Sequence, residues 1–371
     1  MVNERVRFAM NDPIEMMAYW FGLWQRGYQA VWEAYGRWWT AMAIPEMGRQ
    51  EVGQTPAGTI HQLDRVKVIR YHPQTERQYA RPVLCVPSLI NRHYILDLMR
   101  DRSLVAYLVQ RGLNLYLLDW GDPTPADREL TFDAHISHYL RQAVAAVQAD
   151  SGAEQVSLLG YCMGGMFTAI YASLFGAEVA GLVNLAGPIN YHDEGIFSLL
   201  TRAEWFDVDL LVNAYGNIPA DLLCWTFQML HPTSQLVRLM GLAERLEDPH
   251  YVRSFAAMQT WIFDQVDFPG EAFRRYIKAF YQGNELLSGR FTLDNHPVDL
   301  AKIVCPVLTI ASSHDETAPA GSVTILNERI SSPDQSQLLL HGPHVGMVAG
   351  RKAPQTLWPH LADWLIGHSG K

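Results

Sequence analysis

One ten-residue stretch constrains the fold more than any other. Residues 156–165 read Val-Ser-Leu-Leu-Gly-Tyr-Cys-Met-Gly-Gly. The apolar run predicts a strand, then a sharp turn on a single nucleophilic residue, then a helix that begins at once. Gly160 and Gly164 flank that turn because it brings strand and helix backbones close, with little room for a Cβ. Cys162 would stand at the helix N-terminus, where the helix dipole stabilises a developing negative charge. A lone cysteine in a soluble protein is most often a packing residue, and the flanking glycines are what single this one out. Cys85, Cys224 and Cys305 lack such surroundings and are read as packing residues. No two cysteines form a CxxC pair.

Strand-like runs recur at residues 66–71, 82–86, 114–119, 156–159, 181–185, 306–311 and 335–340. Helical stretches lie between several of them, at 97–110, 133–150 and 163–174. This alternation predicts an α/β chain with a mostly parallel sheet covered on both faces. Together with the turn at Cys162 it points to the α/β-hydrolase fold. From 191 to 300 the rhythm stops, and a stretch rich in Trp, Phe, Leu and Tyr reads as an inserted helical cap. The expected organisation is therefore an N-terminal segment and linker at 1–60, core at 61–190, cap at 191–300 and core again at 301–371. Within the first segment, Met16, Trp20, Trp24, Tyr28, Val31, Tyr35, Trp38 and Met42 are spaced three to four apart. That spacing predicts an amphipathic helix over 12–44, which either packs on its own core or docks a partner.

The formal net charge of -9 argues against nucleic-acid binding, which needs a surplus of Lys and Arg. The start of the chain lacks the pattern of a secretory signal, no run reaches about 18 apolar residues, and the four cysteines suit a reducing compartment. The expected location is cytoplasmic.

In this fold the acid and then the base follow the nucleophile in chain order. After the run at 306–311 comes Ser312-Ser313-His314-Asp315-Glu316-Thr317, which offers Asp315 as the orienting carboxylate, with Glu316 as its rival. After 335–340 comes His341-Gly342-Pro343-His344, which offers His344 as the base, with His341 as its rival. The oxyanion donors would be the backbone N–H of Met163 and one from the loop at 87–92, where Ile90 is preferred and Leu89 and Asn91 stay open.

Across residues 60 to 365 the chain resembles the polyhydroxyalkanoate synthases, above all the catalytic subunit of their short two-component members. The stretches that carry the resemblance are Asn91-Arg92-His93-Tyr94-Ile95-Leu96-Asp97-Leu98, Leu118-Asp119-Trp120-Gly121 and Gly160-Tyr161-Cys162-Met163-Gly164-Gly165. Also similar are Gly216-Asn217-Ile218-Pro219, Trp225-Thr226-Phe227, Trp261-Ile262-Phe263-Asp264 and Phe280-Tyr281-Gln282-Gly283-Asn284-Glu285-Leu286. The resemblance implies polymerisation of 3-hydroxyacyl-coenzyme A by a triad of Cys162, Asp315 and His344, with Asp315 helping to activate the substrate hydroxyl. It implies no metal or redox cofactor, since the coenzyme A thioester is substrate. The expected partners are the polyester granule surface, an accessory synthase subunit and further copies of the chain. Two features depart from the family pattern: Pro343 stands where many members have Gly, and the aromatic N-terminal segment is long for a short subunit. A depolymerase or thioesterase with the same triad, or a non-catalytic granule protein, are the competing readings.

Overall fold

The computed structural model describes residues 44–370, apart from Glu194 and His231. The helix expected over 12–44 therefore lies outside the described residues. Ten strands occur there: β1 Ala57–Leu63, β2 Val66–Tyr71, β3 Pro82–Val86, β4 Asn114–Asp119, β5 Val156–Tyr161, β6 Val179–Leu185, β7 Thr292–Leu293, β8 His296–Pro297, β9 Val307–Ser312 and β10 Gln335–Leu340. Eight form one sheet in the order β1-β2-β4-β3-β5-β6-β9-β10. The pairings from β4 through β10 are parallel, while β1 with β2 and β2 with β4 are antiparallel. β7 and β8 make a separate small hairpin.

Strand periodicity sorts the sheet's side chains into two cores. Leu84, Val86, Tyr116, Leu118 and Leu158 point to one face, where they meet Val144 and Val147 of helix Arg141–Ser151 and Phe167 and Ile170 of helix Met163–Leu174. Cys85, Leu115, Leu117, Leu159, Val183 and Leu185 point to the other, against helices Leu104–Gln110 and Leu357–Gly367. Because both faces are covered, β3, β5 and β6 are buried along their whole length, and their sequences show no polar alternation.

The chain passes from β3 out to β4 and then returns to β5 on the opposite side of β3. This is a topological switch point, and it opens a crevice beyond the C-terminal ends of β3 and β5. Helices Ile196–Leu200, Val208–Tyr215, Ala220–Met229, Ser234–Ala243, Pro249–Phe263 and Gly270–Tyr276 fall between β6 and β9. Two of them start on aspartate caps: Asp207 accepts from Asp209 and Leu210 N–H, and Asp248 from His250 and Tyr251 N–H.

The structure departs locally from these expectations at three places. Within the segment and linker expected at 1–60, β1 already begins at Ala57, and the turn before it is pinned to the core: Gly53 N–H donates to the Asp97 carbonyl and Thr55 to the Asp97 carboxylate. The helix expected from 97 starts at Leu104, capped by Ser103, since Asp97 is spent on anchoring Thr55 and Ser103. A helix Ile44–Glu51 was not foreseen as a separate element. It packs on Pro249–Phe263 so closely that a Cβ on Gly48 would meet the Ala256 carbonyl.

Candidate active site

Cys162 sits between the end of β5 and the first residue of helix Met163–Leu174, at φ 58° and ψ -127°. A non-glycine residue tolerates this strained conformation only where its surroundings impose it. The glycines around it do so. A Cβ on Gly160 would collide with Gly164 and Gly165, one on Gly164 with the carbonyls of Val86 and Pro87, and one on Gly165 with Asn184 and Gly187. The helix N-terminus is thus pressed against the loop after β3. Gly164→Ala should cost about 1–3 kcal/mol, because backbone meets backbone and no side chain can swing away. Its melting temperature should fall, and Cys162 chemistry should slow with it.

Asp315 follows β9 and is buried, with its side chain fully enclosed. Its Oδ1 accepts from Thr317 N–H (2.9 Å) and Ala318 N–H (2.8 Å), and its Oδ2 lies 2.6 Å from His344 Nδ1. This fixes the ring so that Nε2 is the free position. Nε2 is buried and, among the described residues, makes no formed hydrogen bond, while the Cys162 side chain lies near enough to act on the ring. The His344 ring stacks on Tyr161, with centroids 5.3 Å apart. Burial would lower its pKa, but the charge of Asp315, then that of Cys162, outweighs burial and pushes it up to about 10.

Pro343 precedes His344 without disturbing its contact with Asp315. It occupies the N-cap of helix His344–Ala349 with extended backbone (φ -78°, ψ 163°), a conformation that proline prefers. Just before it, Gly342 takes φ 148°, and its carbonyl accepts from Ser312 Oγ, which ties the loop before His344 to the end of β9. Of the rivals, His341 is exposed and packs edge-on against His314 with centroids 4.2 Å apart, within reach of Ser313 rather than Asp315. Glu316 is exposed on the pocket rim.

Cys162 and His344 open into a cavity of about 380 Å³ whose far wall comes from the cap, with Phe227, Leu230, Met258, Trp261 and Ile262. Cys224 also lines it, so the expectation that Cys224 is purely a packing residue was incomplete. Its thiol donates to the Ile262 carbonyl and accepts from Gln228, and burial raises its pKa. Cys85 stays a core residue, its thiol pushed up to about 12 by burial. Sequence reasoning did not assign these cap residues to the site; the aromatic density of 225–227 and 261–263 was the available signal. Met163 is the first residue of its helix, so its N–H is one of those a helix leaves without an intrahelical acceptor. Among the described residues no cluster of three or more His, Cys, Asp or Glu is placed to hold a metal, and no helix is long and apolar enough to cross a membrane.

Comparison with known proteins adds the lineage. A family model described as the poly-beta-hydroxybutyrate polymerase (PhaC) N-terminus matches residues 40–108, and one described as the alpha/beta hydrolase fold matches residues 81–349. The poly(3-hydroxyalkanoate) polymerase subunit PhaC of Allochromatium vinosum is 37% identical over 85% of this chain and 89% of its own. The protein of that name from Synechocystis sp. is 36% identical over 85% of each chain. This chain belongs to the PhaC polymerase family.

Among solved structures, a putative lipase from Sulfolobus solfataricus aligns with TM-score 0.51 and 16% identity, over 85% of this chain and 98% of its own. The Paleococcus ferrophilus monoacylglycerol lipase aligns with TM-score 0.50 and 14% identity, over 81% and 99%. At such identities the likeness is one of fold alone. It establishes that this PhaC family member is built on the α/β-hydrolase framework expected from its sequence.

Proposed function

We propose that the chain polymerises 3-hydroxyacyl-coenzyme A into polyester, with Cys162 as nucleophile, His344 as base and Asp315 as its orienter. The observation that carries this reading is the apolar cavity that joins Cys162 and His344 to the cap, in a chain of the PhaC family. His344 Nε2 takes the thiol proton, the sulfur attacks the thioester carbonyl, and the oxyanion is received by the N–H groups of Met163 and Ile90. Coenzyme A leaves as the thiol with that proton, and the acyl group remains on Cys162 as a thioester. The hydroxyl of a second acyl unit or growing chain then attacks. A thioester keeps the acyl group activated for this alcohol, and an apolar cap keeps water from intercepting it.

The family resemblance gives Asp315 a direct hand in activating the hydroxyl. Its burial argues for a different route: both oxygens are engaged, one by two backbone N–H groups and the other by His344. We therefore assign the hydroxyl proton to His344 as well, with Asp315 acting through the ring. Exposed apolar residues of the cap, including Trp205, Leu210, Val237 and Met240, would suit contact with a polyester surface or an accessory subunit.

Purified protein given 3-hydroxybutyryl-coenzyme A, alone and with candidate accessory subunits, tests the reading. Coenzyme A release accompanied by insoluble polymer is the expected result. Release matched by free hydroxy acid would make the chain a hydrolase, and no release under either condition would favour a binding protein.

A further inference from the structure

The cap and the loop after β3 are fastened together beside the cavity. Helix Pro249–Phe263 ends at Asp264, whose Oδ1 accepts from Arg92 Nε and whose Oδ2 accepts from Tyr94 Oη, both at 2.8 Å. Trp261 Nε1 donates to the Arg92 carbonyl at 2.9 Å. Asn91 Nδ2 donates to Gln265 Oε1, and Gln265 Nε2 is itself held by the carbonyls of Trp261 (2.7 Å) and Ile262 (3.1 Å). Asn91 and Gln265 also pair as an isolated antiparallel bridge, with Val266 N–H donating to the Ile90 carbonyl at 3.5 Å.

Apart from the two Gln265 bonds to Trp261 and Ile262, which lie within the cap, these contacts run from cap to core and converge on residues 90–94. On the core side, the Arg92 guanidinium meets Asp122 at 2.7 Å, and the Arg92 carbonyl accepts from Ile95 N–H at 3.4 Å. A loop backbone has no regular lattice to fix it, so the direction of its N–H groups depends on what holds its ends. Here groups borne by the cap hold residues 90–94, beside core contacts from Asp122 to Arg92 and from Asp119 to His93. Asp264 is half-exposed, while Arg92 is less exposed, and the guanidinium reaches both carboxylates through separate nitrogens.

We propose that Asp264 is a positioning residue which, through Arg92 and Tyr94, holds the loop after β3 so that its Ile90 N–H faces the oxyanion formed on the Cys162-bound acyl group. Asp264 does not line the cavity. Its contribution arises only when a carbonyl oxygen gains charge, and it links the seating of the cap to the electrophilic half of the site. The inference rests on the proposed acyl transfer at Cys162.

Two reactions of the same thiol separate this role from simple scaffolding. Alkylation by iodoacetamide needs an accessible, ionisable sulfur but forms no oxyanion, whereas acylation by 3-hydroxybutyryl-coenzyme A needs the donor pair. The isosteric Asp264→Asn variant should acylate about 10- to 100-fold more slowly, the scale expected for a displaced catalytic donor. Its alkylation rate should stay within about two-fold of wild type by the same argument, and the loss should fall on kcat rather than KM. Asp122→Asn, which removes the core-side partner of Arg92, should acylate at close to the wild-type rate. Equal losses in both reactions, or no loss in acylation, would overturn the proposal. If wild type is alkylated at Cys162 but never acylated, the acyl-transfer reading fails and this inference with it. If wild type acylates and Asp264→Asn matches it, only this inference fails.

Discussion

Cys162→Ala will carry no acyl adduct after exposure to a hydroxyacyl-coenzyme A substrate, while Cys85→Ala and Cys224→Ala will still be modified. The expectation follows from placement. Only Cys162 combines the strained elbow conformation with the helix N-terminus and the His344 ring. Cys85 is enclosed in β3 and its ionisation is opposed by burial. Cys224 reaches the cavity, but its sulfur is engaged by Gln228 and the Ile262 carbonyl. Cys162→Ser should keep the fold, yet lose on the order of a thousand-fold or more in transfer rate, about 4 kcal/mol of barrier. A hydroxyl gives up its proton far less readily than a thiol, and the ester it forms is a poorer acyl donor. Intact-protein mass spectrometry reads this directly. An adduct that persists in Cys162→Ala and moves with Cys224 would transfer the nucleophile's role to the cap.

The parts of the site that depend on local backbone chemistry were legible in the sequence. Gly160, Gly164 and Gly165 are demanded by close approach, so the turn at Cys162 could be placed to the residue. Asp315 and His344 could be found because the fold orders them after the last two parallel strands, and the structure brings these two together at 2.6 Å while leaving His341 beside His314. What was hidden depended on long-range contacts. β1 has no fully buried position and pairs only with β2 at the edge of the sheet, so its sequence lacks the apolar run that marks β3 or β5. The stretch at 97–103 looked helical in composition, but Asp97 is drawn into bonds with Thr55, 42 residues away. The cavity wall and the strap at Asp264 join segments about 170 residues apart, and no local pattern announces such a meeting. Cys224 was set aside for the same reason: its helix gives no sign that one of its faces closes over Cys162.

His344→Gln should block acylation outright, whereas Asp315→Asn should still acylate slowly and fail chiefly in chain elongation. The two steps ask different amounts of the base. Removing a proton from a thiol is easier than removing one from the hydroxyl of a growing chain, so a ring that has lost its carboxylate is most deficient in the second step. Asp315 also underlies the raised pKa of about 10, because its charge stabilises the imidazolium. In Asp315→Asn the His344 pKa should therefore fall, and the pH–rate profile for acylation should shift to lower pH. Stability should move in a matching way. A folded-state pKa above the ordinary histidine value means that the interaction stabilises the protein fully below about pH 6.5, and that its contribution is lost as pH rises through the folded value. The melting-temperature gap between wild type and His344→Gln should accordingly be widest in mild acid and narrow toward alkaline pH. Rapid quench with labelled substrate separates acylation from elongation, and thermal unfolding across pH follows the pair. If His341→Gln were the inactive variant while His344→Gln acylated normally, the base assignment would be wrong despite the short contact with Asp315. An Asp315→Asn enzyme that elongated as fast as wild type would show that the carboxylate only supports the loop, through its bonds to Thr317 and Ala318 N–H.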